Sequence, residues 1–343
     1  MTKIDFRSDT VTWPTEEMRT AMAQAEVGDD VYQDDSTTKE LENYGASLVA
    51  KEAALFVPSG TFGNELALFT HCKRGDEVVL ADNSHIVQHE CGSSSIIAGV
   101  QLRTVDEKAG ILQPSEFEKK IRTTIDIHEP KTGLICIENA TSSGHVQSIE
   151  FMEKISIIGK KHHVPIHLDG ARIFNAATHL NVPAVEIAKH TDSVMFCLSK
   201  GLCSPVGSLL AGSAEFIENA RLKRKIMGGG MRQTGILAAA GLISLRKMRL
   251  RLSEDHENAQ FLAKELSLIP EIEIDPVSVE INMVFFKFAQ NAIDTTAFVE
   301  FCQNNGILIN DADSTGTIRL VTHYWIQREH CEKLILTVKK FLK

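Results

Sequence analysis

Six short apolar runs mark the first part of the chain: Ala54-Leu55-Phe56-Val57, Glu77-Val78-Val79-Leu80-Ala81, Leu134-Ile135-Cys136-Ile137, Pro165-Ile166-His167-Leu168, Val194-Met195-Phe196-Cys197-Leu198 and Ser208-Leu209-Leu210-Ala211. Each has the length of a strand, and most are separated by stretches with helical spacing, such as Met152, Ile155, Ile158 and Gly159. Strands alternating with helices fold as a mostly parallel central sheet with helices on both faces. The fold class is therefore α/β, and ligands of such sheets bind beyond the carboxyl ends of the strands. Ser115-x-x-Glu118 reads as a capping box opening one of the helices.

After Gly228-Gly229-Gly230 the pattern changes to one long helical stretch over residues 236–268. Shorter strand candidates follow at 272–274, 283–288, 307–309 and 318–321, with a final amphipathic helix through Leu334, Ile335 and Val338. This predicts a large domain with an N-terminal arm, residues 1–250, joined through a helix to a smaller C-terminal α+β domain, residues 251–343. A chain of 343 residues accommodates both.

Charge narrows the partners. A formal charge of −9, from 45 acidic and 36 basic residues, lacks the basic excess that nucleic acid or an acidic membrane selects. The most basic stretch, 221–225, reads as a solvated helix face. Seven cysteines without a C-x-x-C pair make a poor disulfide framework and are expected to be reduced and mostly buried. Residues 1–5 open no apolar signal run, and no apolar window is long enough to span a bilayer, so a cytoplasmic protein is expected.

Two strand ends carry polar groups: Leu168-Asp169-Gly170-Ala171-Arg172 and Leu198-Ser199-Lys200-Gly201. In a parallel sheet both face one rim, where a carboxylate, a guanidinium and an amine can meet. A structural ion pair closing the sheet edge explains either motif alone as well as catalysis does. Ser59-Gly60-Thr61, between an apolar run and a helix start, is an ordinary N-cap or an anion site. Taken together, the three point to pyridoxal phosphate, which needs a Schiff-base lysine, an acid beside its pyridine nitrogen and a phosphate cradle. The acidic stretch Gly28-Asp29-Asp30-Val31-Tyr32-Gln33-Asp34-Asp35 is a solvated loop or a segment reaching into a site. His162, His163 and His167 have no supporting cysteine or carboxylate cluster at ligand spacing, so no metal is expected.

Longer motifs carry a resemblance. Phe6-Arg7-Ser8-Asp9-Thr10-Val11-Thr12, Gly28-Asp29-Asp30-Val31-Tyr32, His167 to Ala176, Leu198-Ser199-Lys200-Gly201-Leu202, Gly228-Gly229-Gly230-Met231-Arg232-Gln233 and Arg319-Leu320-Val321-Thr322-His323 resemble, in order, the low-specificity L-threonine aldolases. These are pyridoxal-phosphate lyases of the aspartate-aminotransferase fold. The resemblance implies that Lys200 holds the cofactor, Asp169 contacts its pyridine nitrogen, and Gly60 and Thr61 bind its phosphate. It implies His85 over the ring, Arg172 near the cofactor oxygen, and Arg319 with Ser8 at the substrate carboxylate. His128 matches a second active-site histidine near the substrate hydroxyl, and either histidine is a candidate base. Tyr32, Lys225 and Arg232 resemble residues lent to a neighbouring subunit's site, in an assembly typically tetrameric. The implied reaction cleaves L-threonine or L-allo-threonine to glycine and acetaldehyde; β-elimination or transamination on the same scaffold are the alternatives. The chain departs from the family at Glu138-Asn139-Ala140-Thr141, where Glu-Asn-Thr-His is frequent, and at Phe62, where smaller or amide side chains are common.

Overall fold

The computed structural model describes residues 3–107, 112–124, 126–289 and 293–343. Its strands are β1 (Ile4–Asp5), β2 (Ala53–Val57), β3 (Glu77–Ala81), β4 (Gln101–Val105), β5 (Thr132–Glu138), β6 (Ile166–Asp169), β7 (Ser193–Cys197), β8 (Ser208–Gly212), β9 (Ile272–Glu273), β10 (Met283–Phe288), β11 (Ile307–Leu308) and β12 (Ile318–Val321).

Seven strands form the central sheet, in the order β2-β8-β7-β6-β5-β3-β4. β8 alone among them runs against both its neighbours; the pairs from β7 to β4 are all parallel. The carboxyl ends of β2, β3, β5, β6 and β7 therefore open on one rim. All six predicted strands are present, and five of them, β3 and β5 to β8, are buried at every residue. β4 was not anticipated, because as an edge strand it buries only Val105 fully and leaves Gln101 exposed.

The anticipated helix over 236–268 is two helices, Gly235–Arg246 and Leu252–Leu266, separated by a 3-10 turn at Met248–Arg251. Lys247 leaves helical geometry at φ −121°, and Arg249 Nε then donates to the Leu245 carbonyl at 2.6 Å, satisfying a helix-end acceptor. The break lets Leu252 join the main core while Ala259, Leu262 and Leu266 join a second one. The expected capping box at Ser115 is also absent: Pro114 opens the helix Pro114–Lys120, with Gln113 as a cap that makes no side-chain bond. Proline's fixed φ suits that first position.

The second core lies over the antiparallel sheet β12-β10-β9 and the parallel pair β1-β11. Phe6, fully buried there, donates to the Leu308 carbonyl at 2.8 Å and accepts from Val321 N at 2.9 Å. The N-terminal arm thus adds to the C-terminal sheets before crossing to the main rim. No helix among the described residues is long and apolar enough to cross a membrane. All seven cysteines are free, and six of them are buried.

Candidate active site

A cavity of about 230 Å³ opens at the rim, lined among others by Gly60, Thr61, His85, Asp169, Arg172 and Lys200. Each comes from the carboxyl end of a strand or the turn after it: β2, β3, β6 and β7 supply them all. The close approach of the helix Gly60–His71 to β7 requires glycine: a Cβ on Gly60 would lie 2.9 Å from Cys197 Sγ, and one on Gly63 2.6 Å from Met195 Cγ. Ser59 caps this helix by accepting from Phe62 N at 3.1 Å. No protein acceptor among the described residues takes the N–H of Gly60 or Thr61, so two donors at the positive helix end face the cavity.

Opposite them, Asp169 accepts from Asn64 Nδ2 at 2.7 Å and from Ala171 N at 3.0 Å. Lys200 is held by its backbone, whose carbonyl accepts from Thr12 Oγ1 at 2.7 Å. Arg172 pairs with neither. Its guanidinium makes two bonds, of 2.8 and 2.7 Å, to the fully buried Asp9 on the N-terminal arm. Burial raises the Asp9 carboxyl, but the charge and hydrogen bonds of Arg172, helped by Lys200 and Asn282, hold it well below the usual carboxylate range. A structural pair between Asp169 and Arg172, one of the readings open from sequence, is not formed.

His85 follows β3 and turns Nδ1 to Glu90 Oε1 at 2.8 Å, while its backbone N–H donates to Glu138 Oε2 at 3.1 Å. The Glu90 bond raises its pKa against the effect of burial. Glu138 is raised in turn, by burial and then by Asp169 beside it, and accepts from Ser142 Oγ at 2.7 Å. Arg319, on β12, has no carboxylate partner among the described residues; burial, then the charge of Arg172, lowers its pKa. Its Nη2 reaches only the Arg7 carbonyl, at 3.4 Å, one residue from Ser8, which caps the turn Asp9–Val11.

The other expected residues lie apart. Tyr32, 74% exposed, sits under the Arg232 guanidinium at 5.8 Å, and Arg232 bonds Asp29 at 2.8 Å. Lys225 lines a neighbouring cleft of about 300 Å³ with Val31, Gln33 and Gly230. The basic stretch here is not a solvated face: Arg224 is buried, donating to Asp30 at 2.5 Å and to the Phe56 carbonyl at 2.7 Å. Nor is the acidic stretch wholly solvated, since Asp30 and Asp35 are buried. Phe62 fills the space over Gly229, where a Cβ would meet its ring at 2.4 Å.

His128 is exposed on the loop before β5. β5 ends at Glu138 on the site rim, so its start at Thr132, six residues earlier at about 3.3 Å each, is on the opposite rim. One chain does not bring His128 to Lys200. Of the other histidines considered for a metal, His162 is hydrogen-bonded to Glu118 and His167 to Ser193 and Asn64. Among the described residues, His85, Glu90 and Asp169 do bring ligand-type atoms within 4.8 Å of one another, with the Asn64 amide bonded to both carboxylates.

Asp9, Asn64 and Glu90 were not singled out from sequence. Asn64 stands one helical turn after Gly60 and so faces the same cavity, a usable signal; the partners of Asp9 lie 163 and 273 residues away and leave none.

Residues 5–289 match the beta-eliminating lyase family. The chain is 45% identical to low-specificity L-threonine aldolase 1 of Arabidopsis thaliana over 95% of its own length and 92% of that protein. It is 40% identical to the low specificity L-threonine aldolase of Escherichia coli K12, covering 99% of each. A threonine aldolase of Leishmania major, 21% identical, shares the fold with a TM-score of 0.85 over 99% of this chain and 100% of that one. Matches of this extent, in a chain whose rim carries the motifs set out above, mean that it belongs to the beta-eliminating lyase family, with the low-specificity L-threonine aldolases.

Proposed function

We propose that this protein is a pyridoxal-phosphate-dependent aldehyde-lyase that splits the Cα–Cβ bond of L-threonine, L-allo-threonine and related β-hydroxy-α-amino acids, giving glycine and an aldehyde. The observation that carries the reading is the convergence of Lys200, Asp169 and the two unbonded N–H groups of Gly60 and Thr61 on one cavity. A lysine, a buried acid and an anion cradle are the donor set this cofactor needs, so the residues fit it.

Lys200 Nζ would hold the cofactor's aldehyde carbon, Asp169 its pyridine nitrogen, and Gly60 and Thr61 its phosphate. Bound there, pyridoxal phosphate supplies an electron-accepting ring for the electron pair of the cleaved bond. The chain's own work is orientation and proton transfer. Arg319, half-buried and without a carboxylate partner among the described residues, and Ser8 would fix the substrate carboxylate; Arg172, anchored by Asp9, would face the cofactor oxygen. Holding the carboxylate selects which bond at Cα stands across the ring, and so which bond breaks.

His85 takes the β-hydroxyl proton. Its Nδ1–H is committed to Glu90, which leaves Nε2 as the lone pair for the substrate. Because its pKa is raised, activity falls on the acid side as His85 becomes protonated. His128 can join only from a second copy. Arg232 packs over Tyr32, Lys225 lines a separate cleft, and none of the three lines the cavity of its own Lys200, in keeping with a homotetramer whose sites are completed across an interface. A cytoplasmic enzyme of threonine catabolism and glycine formation, with domains at 1–250 and 251–343, completes the reading.

Product analysis tests it. Purified protein with L-threonine should release glycine and acetaldehyde in equal amounts and leave D-isomers untouched. Pyruvate with ammonia, or an amino group passed to a keto acid, would assign β-elimination or transamination instead.

A further inference from the structure

Behind the cavity the polar groups form one continuous chain. Asn64 Nδ2 donates to Asp169 Oδ2 at 2.7 Å and to Glu90 Oε1 at 2.9 Å. Its Oδ1 lies 3.3 Å from His167 Nε2. His167 Nδ1 is 2.9 Å from Ser193 Oγ, and Ser193 Oγ is 2.7 Å from His71 Nε2. Burial pushes His167 down to about 3 and His71 to about 4, so both rings are neutral near pH 7 and each has one N–H.

That count leaves one consistent arrangement. A carbonyl oxygen facing two carboxylates would be repelled by both, so the Asn64 nitrogen must face them and its oxygen must accept. His167 therefore donates from Nε2 and accepts at Nδ1 from the Ser193 hydroxyl, whose oxygen accepts from His71 Nε2–H. Every hydrogen has an acceptor, and the amide of Asn64 cannot turn over. The His71 ring is itself stacked on Phe216 at 4.4 Å. Glu90 Oε1, the oxygen that Asn64 reaches, is also the one that accepts from His85 Nδ1.

We infer that Asn64 is a positioning residue that couples the two halves of the chemistry: through one amide locked by His167, Ser193 and His71, it holds Asp169 for the cofactor nitrogen and Glu90 for His85. This rests on the functional reading given above. Asn64 does not touch the proton that His85 takes. It sets the carboxylate behind the base and the acid beneath the ring at once, so one substitution disturbs both.

Replacing it by leucine removes both donors at similar volume. Glu90 then has more negative charge to share with His85, and the proton affinity of the pair rises. The acid limb of kcat/KM should move to higher pH, while the cofactor is held less tightly. Among the other groups facing His85, Lys200, Glu138 at its backbone N–H and His89, whose ring centroid is 5.4 Å away with Arg319 beyond, make no hydrogen bond with Asn64, whereas Asp169 loses its bond from Asn64 and keeps the one from Ala171 N–H.

The experiment compares wild type with Asn64→Leu, His167→Leu and His167→Gln, measuring the pyridoxal phosphate dissociation constant by dialysis and the pH profile of kcat/KM for L-threonine. For Asn64→Leu we expect about tenfold weaker cofactor binding and an acid limb about half a pH unit higher. His167→Leu should shift both in the same direction by less, and His167→Gln, whose amide still donates to Asn64, should restore them. The two His167 variants carry the test if Asn64→Leu does not fold. An acid limb that stays at the wild-type position in Asn64→Leu, or in His167→Leu, overturns the coupling, whatever the cofactor affinity does. Wild type that takes up no pyridoxal phosphate overturns the functional reading, and the inference with it.

Discussion

The two sides of the cavity handle buried carboxylates in opposite ways. On the side of the N-terminal arm, Asp9 is fully buried but meets the Arg172 guanidinium through two short bonds, and stays ionised. Behind His85, the buried Glu65, Glu90 and Glu138 form no salt bridge with an arginine or lysine among the described residues, and all three are pushed up, chiefly by burial. A buried carboxyl group is thus a fixed charge on one side and a group of raised proton affinity on the other. A fixed charge suits the side that must orient a carboxylate; carboxyls of raised proton affinity suit the side where His85 accepts a proton. The difference follows from whether a cation was buried alongside.

Removing the fixed charge should have the largest effect on stability. Asp9→Ala leaves Arg172 buried without a partner, and a loss of about 3–5 kcal/mol is expected by urea denaturation. Asp9 has a lowered folded pKa, so its contribution is complete above the ordinary carboxylate range and is lost as the pH falls through its lowered value. The cost of Asp9→Ala should therefore shrink in acid; a cost that stays constant down to the point of acid unfolding contradicts the contrast.

The opposite sign is expected behind His85. Glu65 is raised to about 7, so the folded state binds its proton more tightly than the unfolded chain does. Wild-type stability should fall as the pH rises from the ordinary carboxylate range toward 7. Glu65→Gln escapes this loss and should be more stable than wild type by about 1–3 kcal/mol at pH 8, a gain that vanishes in the ordinary carboxylate range. Thermal melting at two pH values measures it, and equal gains at both would show that Glu65 is not a proton-holding group.

A smaller effect separates the cavity from the outlying cluster. Tyr32 is 74% exposed and contacts Arg232, so Tyr32→Ala should change stability by no more than about 0.5 kcal/mol. If the cluster completes a neighbour's site, kcat/KM should nevertheless fall about tenfold, equivalent to about 1.4 kcal/mol of transition-state stabilisation. Unchanged kinetics would separate Tyr32 from any site.

The sequence was most readable where burial is two-sided. Strands β3 and β5 to β8 are continuous apolar runs because both faces are covered, whereas β4 is a half-exposed edge whose Gln101 and Arg103 hide it. The break after Arg246 carries no proline or glycine; it is fixed by which core each half of the segment joins, a tertiary matter. The site was legible to the same degree. Asp169 and Lys200 stand at strand ends, where sheet geometry alone brings them to one rim. Asp9 acts through partners 163 and 273 residues away, and a lone carboxylate gives no periodic signal; Asn64 could have been found from its place one helical turn after Gly60. Arg224 shows the reverse error: a basic run looks solvated until the facing Asp30, 194 residues away, is known.

The central claim is that Lys200 is the residue that holds the cofactor. Protein loaded with pyridoxal phosphate, reduced with borohydride, digested and mapped by mass spectrometry tests it most directly. The expected result is one phosphopyridoxyl group per chain on Lys200, absent from Lys200→Ala. A label on another lysine, or none on loaded wild-type protein, would contradict the account.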